Sequence, residues 1–395
     1  MKKLFLVFAF LIPSIIYAQT IKTDVLVIGN SAAAFSAGMQ ASESGVKCIV
    51  LTQGDGFDIP NIEQLPKTGL QKIFDKRARK ALKLSDSAAL PNMNKQVLNA
   101  VVKKWSDSSK LFNVINNANY EEIKRSGSGW EARLTKDKSI KAKVLIITGQ
   151  SAKILAALKT TTLNAAKSSL LNYDENSYRT SIAGIAGTTN FLSMYNLLIP
   201  DQENFLYVNA QDYEIGQAAG ATAAYAAFFD TKTSLSNLKR IQGELLSYKL
   251  PLVPFQDVNL ADSNWLAIQK IGNTGLLKGD VKDGKLFFNP AQAVSYNEIK
   301  QPIKDYYYKA QIWFDDHQNV PINLENTISL VSYVGNKAID ATRLELEKKW
   351  KKNYGFSTSF DLKRVLSRRE FAVIINEYLK PFDVVNVDKS GKVIR

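Results

Sequence analysis

The residues from Gly29 to Ala34, GNSAAA, have the types and spacing that could hold a phosphate group. They follow Asp24 to Ile28, an apolar run of the kind found in strands buried on both faces. They open a stretch rich in small residues from Ala32 to Ser44. The first backbone amides of a helix have no partner within it, and with the helix dipole they favour an anion. In the dinucleotide fingerprint G-x-G-x-x-G, Gly29 takes the first place, Ser31 the second and Ala34 the third. Ala34 still permits close packing of helix on strand. Ser31 puts a side chain where backbone should approach phosphate, although its hydroxyl could donate a hydrogen bond. The acidic residue expected at the end of the next strand, to hold the ribose hydroxyls, is replaced by Thr52. The pattern suits a pyrophosphate, and it leaves open a structural βαβ unit without a nucleotide.

The elements that must position these residues are legible around them. Gly45 ends the small-residue helix, and Val46 to Leu51 reads as a second buried strand, which completes a strand–turn–helix–strand unit. Asp55 to Pro66 is a loop punctuated by Gly56, Pro60 and Pro66. Helical patterns follow from Lys67 through Leu84 and from Lys95 to Lys104. Strand signals come next: Phe112 to Ile115, the alternating Tyr120 to Lys124, a turn at Ser126 to Gly129, then Trp130 to Thr135. After Lys136-Asp137 comes another buried run, Val144 to Ile147, which ends at Thr148-Gly149.

Composition narrows the chemistry. At 395 residues the chain is long enough for two or more domains. Met1-Lys2-Lys3, the apolar run Leu4 to Tyr17 and the small Ala18 read as an export signal with an expected cut after Ala18, an uncleaved membrane anchor being the alternative. The mature chain is then expected in the periplasm or associated with the cell envelope. No later stretch approaches the ~20 apolar residues that a spanning helix needs. The single Cys48 excludes an intrachain disulfide and a thiol-rich metal site, and the single His317 excludes a histidine cluster, so no metal is expected. A Ser–His–Asp hydrolase would have to use His317, and its surroundings do not resemble a catalytic turn. A bound cofactor is therefore the expected source of any chemistry. The net charge is +14, much of it between Lys67 and Lys83. This basic, amphipathic stretch reads as a solvated helix face or as an attraction for an anionic envelope polymer. Nucleic acid is not expected behind an export signal.

Over roughly Lys22 to Asp230 the chain resembles the FAD-dependent oxidoreductases of the glutathione-reductase-like superfamily. Ile147-Thr148-Gly149 is similar to the strand end where that family's backbone passes the adenine half of FAD. Asn204 to Asp212, NFLYVNAQD, looks like its late strand and acidic turn, which makes Asp212 the residue that would bond the ribityl chain. Glu214 to Gly220, EIGQAAG, resembles the helix start that aims its amides at the flavin ring. Gly216, Gln217 and Ala218 would lie there, opposite Gly29, Asn30, Ser31, Ala32, Ala33 and Ala34 at the pyrophosphate. The wording IGQAAGATAA looks most like a bacterial branch described as xanthan-lyase-like, in which Thr or Ser often holds the second fingerprint position. Two departures stand out. Thr52 lacks the ribose carboxylate, and the stretches 54–110 and 150–203 are short for the usual substrate domain.

The C-terminal part has a different character. Leu235 to Pro254 reads as a helix and linker. Trp265, Ile268 and Ile271 follow at helical spacing, then turns at Gly275 to Gly279 and at Asp283-Gly284, and Ser295-x-x-Glu298 is a capping box. This helix–loop–helix resembles an S-layer homology module, with Tyr296 where that family carries arginine. A second copy is suggested at Leu366 to Ala372, where Arg368 keeps the arginine. The resemblance implies binding to an anionic cell-wall polysaccharide. Helix capping by Glu298 and Glu370 alone is the alternative.

The reading as a whole is an α/β chain. A signal peptide (1–18) precedes a Rossmann-like FAD/NAD(P)-binding domain (21–230) with a shortened substrate domain. A linker helix (231–254) leads to a small, mainly helical S-layer-homology-like region (255–395). The expected activity is an exported flavin oxidoreductase acting on a small molecule or carbohydrate. The alternative is a non-catalytic envelope or carbohydrate-binding protein that keeps the flavin fold as a scaffold. No side chain stands out as the acid, base or nucleophile.

Overall fold

A computed structural model describes residues 19–59, 68–135, 138–160, 163, 170–173, 176–208 and 212–394. The expected export signal at 1–18, Pro60, Pro66, Lys67, Lys136-Asp137 and residues 209–211 of the expected acidic turn lie outside the described residues.

The first unit forms where expected: β1 (Gln19–Ile28), α1 (Ala32–Glu43) and β2 (Cys48–Leu51). Two amphipathic helices follow, α2 (Gly69–Leu82) and α3 (Lys95–Ser108), and lead into β3 (Phe112–Ile115). The alternating segments form a meander of β4 (Tyr120–Ser126), β5 (Gly129–Leu134) and β6 (Lys138–Thr148), in which β6 is much longer than its apolar run suggested. After α4 (Ala152–Ala157) comes a small antiparallel sheet of β7 (Leu171–Asn172), β8 (Ser181–Gly184) and β9 (Asn190–Ser193). Then β10 (Leu198–Ile199), β11 (Gln202–Val208), α5 (Tyr213–Phe228) and α6 (Leu238–Ser247) complete the N-terminal half.

The main sheet runs β10-β11-β6-β1-β2-β3, and the neighbours from β11 to β3 are parallel. Its chain order reverses between β1 and β6. Alternate residues feed two cores, as a strand's period of two requires. Val25, Val27, Val50, Val144, Ile146 and Leu206 face one core, shared with α1 and α5. Leu26, Ile28, Ile49, Leu145, Ile147 and Phe205 face the other, under the β4–β5 hairpin and α4. The reading of these runs as strands buried on both faces holds.

The C-terminal helices are α7 (Trp265–Thr274), α8 (Tyr296–Tyr306), α9 (Tyr308–Asp316), α10 (Leu324–Gly335), α11 (Ile339–Lys349) and α12 (Arg368–Tyr378). A hairpin of β12 (Asp280–Lys282) and β13 (Lys285–Phe287) joins α7 to α8. Their apolar core is continuous with that of α1 and α5. Polar contacts reinforce the junction: Asn273 Nδ2 donates to the Tyr178 carbonyl at 3.0 Å, and Arg179 Nε donates to that of Thr274 at 2.8 Å. Three capped helix starts meet in this region. Ser295 caps α8, Asn323 caps α10 and Ser367 caps α12. Backbone bonds tie their approaches together, Val294 N to the Leu366 carbonyl and Leu366 N to the Ile322 carbonyl, both 3.0 Å. The start at Asn323 was not visible in the sequence, because Asn326 stands where the other two carry glutamate.

Arg368 corrects an expectation of position. It is 3% exposed, and its Nε donates to the Phe288 carbonyl at 2.7 Å. Its other nitrogens reach the Lys278 carbonyl and the Glu298 carboxylate. The guanidinium joins α12 to the β12–β13 hairpin and to α8 instead of facing solvent. Glu298 is thus an ion-pair partner. Glu370 closes a full capping box with Ser367 and takes both guanidinium nitrogens of Arg364 at 2.9 Å.

Candidate functional site

Ligands of open α/β sheets bind beyond the carboxyl ends of the strands, where the strand order reverses. In this chain that point lies between Ile28, the end of β1, and Thr148, the end of β6; Ile28 is paired with Ile147. Gly29 leaves β1 with φ +150, a conformation that L side chains rarely adopt, and a Cβ there would lie 1.9 Å from Thr148 Oγ1. Only glycine fits this turn.

Ser31 has a defined task in place of the missing second glycine. It is the N-cap of α1, and its Oγ accepts from Ala34 N at 3.4 Å and donates toward Thr148 Oγ1 at 3.4 Å. Ala32 and Ala33 are the first two helical residues, so their amides have no carbonyl to bond within α1. Asn30 is exposed, and its carbonyl accepts from Asp58 N at 2.6 Å, which pins the loop after β2 onto the turn after β1. Close helix–strand contact, the usual task of the third glycine, falls to Gly38. A Cβ there would meet Val50 Cγ2 at 2.5 Å.

Thr52, which stands where the ribose-binding acidic residue is expected, turns into its own loop. It is fully buried, and its hydroxyl lies 2.9 Å from Asn116 Oδ1 and 3.1 Å from the Gly54 carbonyl. Thr148 is buried between β1 and β11, and Gly149 turns away at φ +75 with its N–H bonded to the Val208 carbonyl at 2.8 Å.

The second helix of the site is α5. Val208 pairs with Thr148 at the end of β11, so α5 starts from the same edge of the sheet as α1. The two helices run side by side in the same direction. A Cβ on Gly216 would come within 2.1 Å of the Ala33 carbonyl oxygen, and one on Gly220 within 2.4 Å of that of Ala37. Ser36 Oγ donates to the Tyr213 carbonyl at 2.7 Å. Gly216, Gln217 and Ala218 are buried, and Gln217 Nε2 donates to Gln40 Oε1 at 3.0 Å. Their small size lets α5 lie against α1, where the sequence had suggested close approach to a flavin ring.

Two carboxyls stand at the start of α5. Asp212, its N-cap residue, is exposed and makes no side-chain cap bond. Glu214, which the sequence reading passed over, is 7% exposed. Burial pushes its carboxyl above the usual range, against bonds from its own amide and that of Ala186, and the nearby Asp212 pushes the same way. Its one sequence signal is position, an acid in the first turn of a helix. The structure thus brings Gly29 to Ala34, Thr148, Gly149, Asp212 and Gly216 to one edge and leaves Thr52 closed inside its loop.

The other titratable candidates are structural. Cys48 is buried, which raises its thiol. His317 ends α9, with its ring stacked on Trp313 at 4.3 Å. Among the described residues there is no cluster of His, Cys, Asp and Glu that could hold a metal, and no helix long and apolar enough to cross a membrane.

No protein-family model matches the sequence, and no curated protein matches it. Among solved structures, bacillithiol disulfide reductase from Staphylococcus aureus aligns at 18% identity over 33% of this chain and 38% of that chain, with a TM-score of 0.21. Thioredoxin reductase from T. acidophilum aligns at 18% identity over 37% of this chain and 40% of that one, with a TM-score of 0.23. A flavoprotein/dehydrogenase from Cytophaga hutchinsonii gives 16% identity, 32% and 38%, and 0.24. The chain spans only about two fifths of each of these proteins. Likenesses this partial assign no function, and the α/β fold stands on the strand order and registers of the chain itself.

Proposed function

We propose that this chain is an FAD-dependent oxidoreductase, with its cofactor lying across the point where the strand order reverses. The observation that carries this reading is the convergence of two helix N-termini, those of α1 and α5, on the glycine turn between β1 and β6. The residues present fit the group in three respects. Gly29 offers bare backbone, the amides of Ala32 and Ala33 are free to bond a pyrophosphate, and the Asp212 carboxylate has no cap bond to give up for a ribityl hydroxyl. Thr52 does not fit, since its hydroxyl is bonded inside its own loop. When bound, FAD would supply the two-electron redox chemistry. The protein's part is to fix the anionic and ribityl portions and to present the positive end of α5. Glu214 is the buried carboxyl near that end, and burial makes it hold its proton more tightly than a free glutamate does.

Binding should be loose. A lost hydrogen bond to a charged group is worth about 1.5–3 kcal/mol, or roughly one to two decades in dissociation constant. The test is quenching of FAD fluorescence on titration with protein, because flavin can be lost in purification. Wild type should saturate in the micromolar range, and Gly29→Asp should abolish binding by forcing apart the turn that presents bare backbone to the pyrophosphate. No saturation at high micromolar FAD would leave the crevice as a scaffold and the protein as a non-catalytic envelope protein.

The proposal includes export and attachment. The FAD-type region is assigned to 21–230, and the C-terminal region, 255–395, is assigned to binding an anionic wall polysaccharide. A groove of about 490 Å³ beside the Ser367 helix start supports this, lined in part by Arg364, Arg369 and Thr358. Cleavage after Ala18 is checked by the mass of envelope-derived protein, and an intact Met1 refutes it. Full-length protein should pellet with wall fragments, less so as salt screens charge over about 10 Å at 0.1 M. Pelleting unchanged by both salt and Arg369→Ala would sink the wall assignment.

A further inference from the structure

The last turn of α5 ends in an aromatic cluster that the core does not absorb. Most of α5 is buried, yet Phe228 is 63% and Phe229 59% exposed. Tyr225 lies 4.6 Å from Phe229, and Phe228 lies 5.0 Å from Phe229, centroid to centroid. Tyr248, just past α6, stands across from them, its hydroxyl donating to the Glu43 carbonyl at 3.0 Å. With the end of α1 these rings line an open cavity of about 430 Å³, whose charged lining residues are Glu43 and Glu244.

This cavity has the opposite sign to the rest of the molecule. The cavities behind the β4–β5 turn, beside α4 and at the Ser367 helix start each include two or more lysines or arginines, and this one includes none. Glu43 is already paired with Arg77. Glu244 accepts from Ser44 Oγ and from Gln40 Nε2, and among the described residues it has no ion-pair partner. Burial raises its carboxyl against those two bonds, and no cationic side chain lines the space beside it.

We propose that this cavity binds a small organic cation bearing an alkylated ammonium group. Aromatic faces attract such a cation through their negative quadrupole. A methylated ammonium gives up water more readily than a metal ion does, and its methyl groups fill apolar space between the rings while Glu244 neutralises it. An anion would meet two carboxylates. A neutral apolar molecule would leave Glu244 without its counter-ion.

The experiment is calorimetric titration of the full chain with choline chloride, against its uncharged carbon isostere 3,3-dimethylbutan-1-ol. Choline should saturate a single site, and the isostere should bind at least about tenfold more weakly. Phe229→Ala removes an exposed ring, so the fold persists, and choline affinity should fall between about threefold and thirtyfold. Glu244→Gln should weaken choline and leave the isostere unchanged. Equal binding of choline and isostere, full affinity in Phe229→Ala, or no saturation at tens of millimolar choline would each overturn the assignment. None of these readouts depends on FAD, so the outcome is separate from that of the flavin proposal.

Discussion

Replacing Gly29 with alanine tests the geometry on which the site rests. The added methyl would stand 1.9 Å from Thr148 Oγ1, 3.2 Å from Thr148 Cβ and 3.0 Å from the Thr148 carbonyl oxygen. The hydroxyl could turn away, since its contacts are long, 3.5 Å to the Ile28 carbonyl and 3.4 Å from Ser31. The carbonyl cannot, because Thr148 is held in β6 between β1 and β11. The φ of +150 adds a cost that no neighbour can relieve. Backbone strain of this kind amounts to about 1–3 kcal/mol and overpacking to about 1–3 kcal/mol. Gly29→Ala should therefore lose about 2–6 kcal/mol of stability. Thr148→Ala alone should lose little, and the double variant should recover only the hydroxyl's share, with a coupling of about 1–2 kcal/mol. Urea denaturation followed by circular dichroism measures all four proteins. A loss under about 0.5 kcal/mol for Gly29→Ala, which is the usual range for unremarkable positions, would refute the reasoning, as would the absence of coupling to Thr148.

Three further outcomes follow from the same contacts. Gly216→Ala should cost about 1–3 kcal/mol by forcing α5 off Ala33. Gly243→Ala in α6, whose Cβ would meet nothing within 4 Å, should instead gain about 0.5–1 kcal/mol, and a matching loss at both sites would refute the packing account. Glu214 has a raised carboxyl in the folded state, so its contribution is complete below the unfolded value of about 4.3 and is lost as pH rises through the folded one. Glu214→Gln should therefore gain on wild type between pH 4 and 7 in unfolding midpoint, and an unchanged difference would refute this. Glu370 runs the other way. Burial disfavours its charge, but bonds from Arg364, Thr358 and Ser367 win and hold the carboxyl below the usual range. Its stabilisation is present above the unfolded pKa and lost as pH falls through the folded one. Glu370→Gln should cost about 1–3 kcal/mol at neutral pH and progressively less in acid; an equal deficit at both would refute it.

What the sequence disclosed and what it concealed divide along the range of the interactions involved. The strand from Val25 to Ile28 was readable because a run apolar on both faces can satisfy itself only inside a parallel sheet, and Val27 and Ile28 do feed opposite cores. The meander was readable because polar and apolar residues alternate from Tyr120 and a Gly-containing turn separates the arms. Arg368 was misplaced because its partners, the carbonyls of Lys278 and Phe288, lie far away in the chain. That Thr52 closes on its own loop was hidden for the same reason, since its partner Asn116 is also remote in the chain.

Gly216 is the instructive case, since small residues there suit a nearby ligand and a nearby helix equally well. The structure shows the helix, with Ala33 as the neighbour. That contact also governs the ligand question. Each helix start carries about half a positive charge, and the charges of α1 and α5 add only if the helices run parallel and close. Gly216 and Gly220 hold them so. A larger residue at either place would separate the two dipoles as well as weaken the core. Packing at Gly216 is therefore what brings the two positive helix ends together at the edge of the sheet.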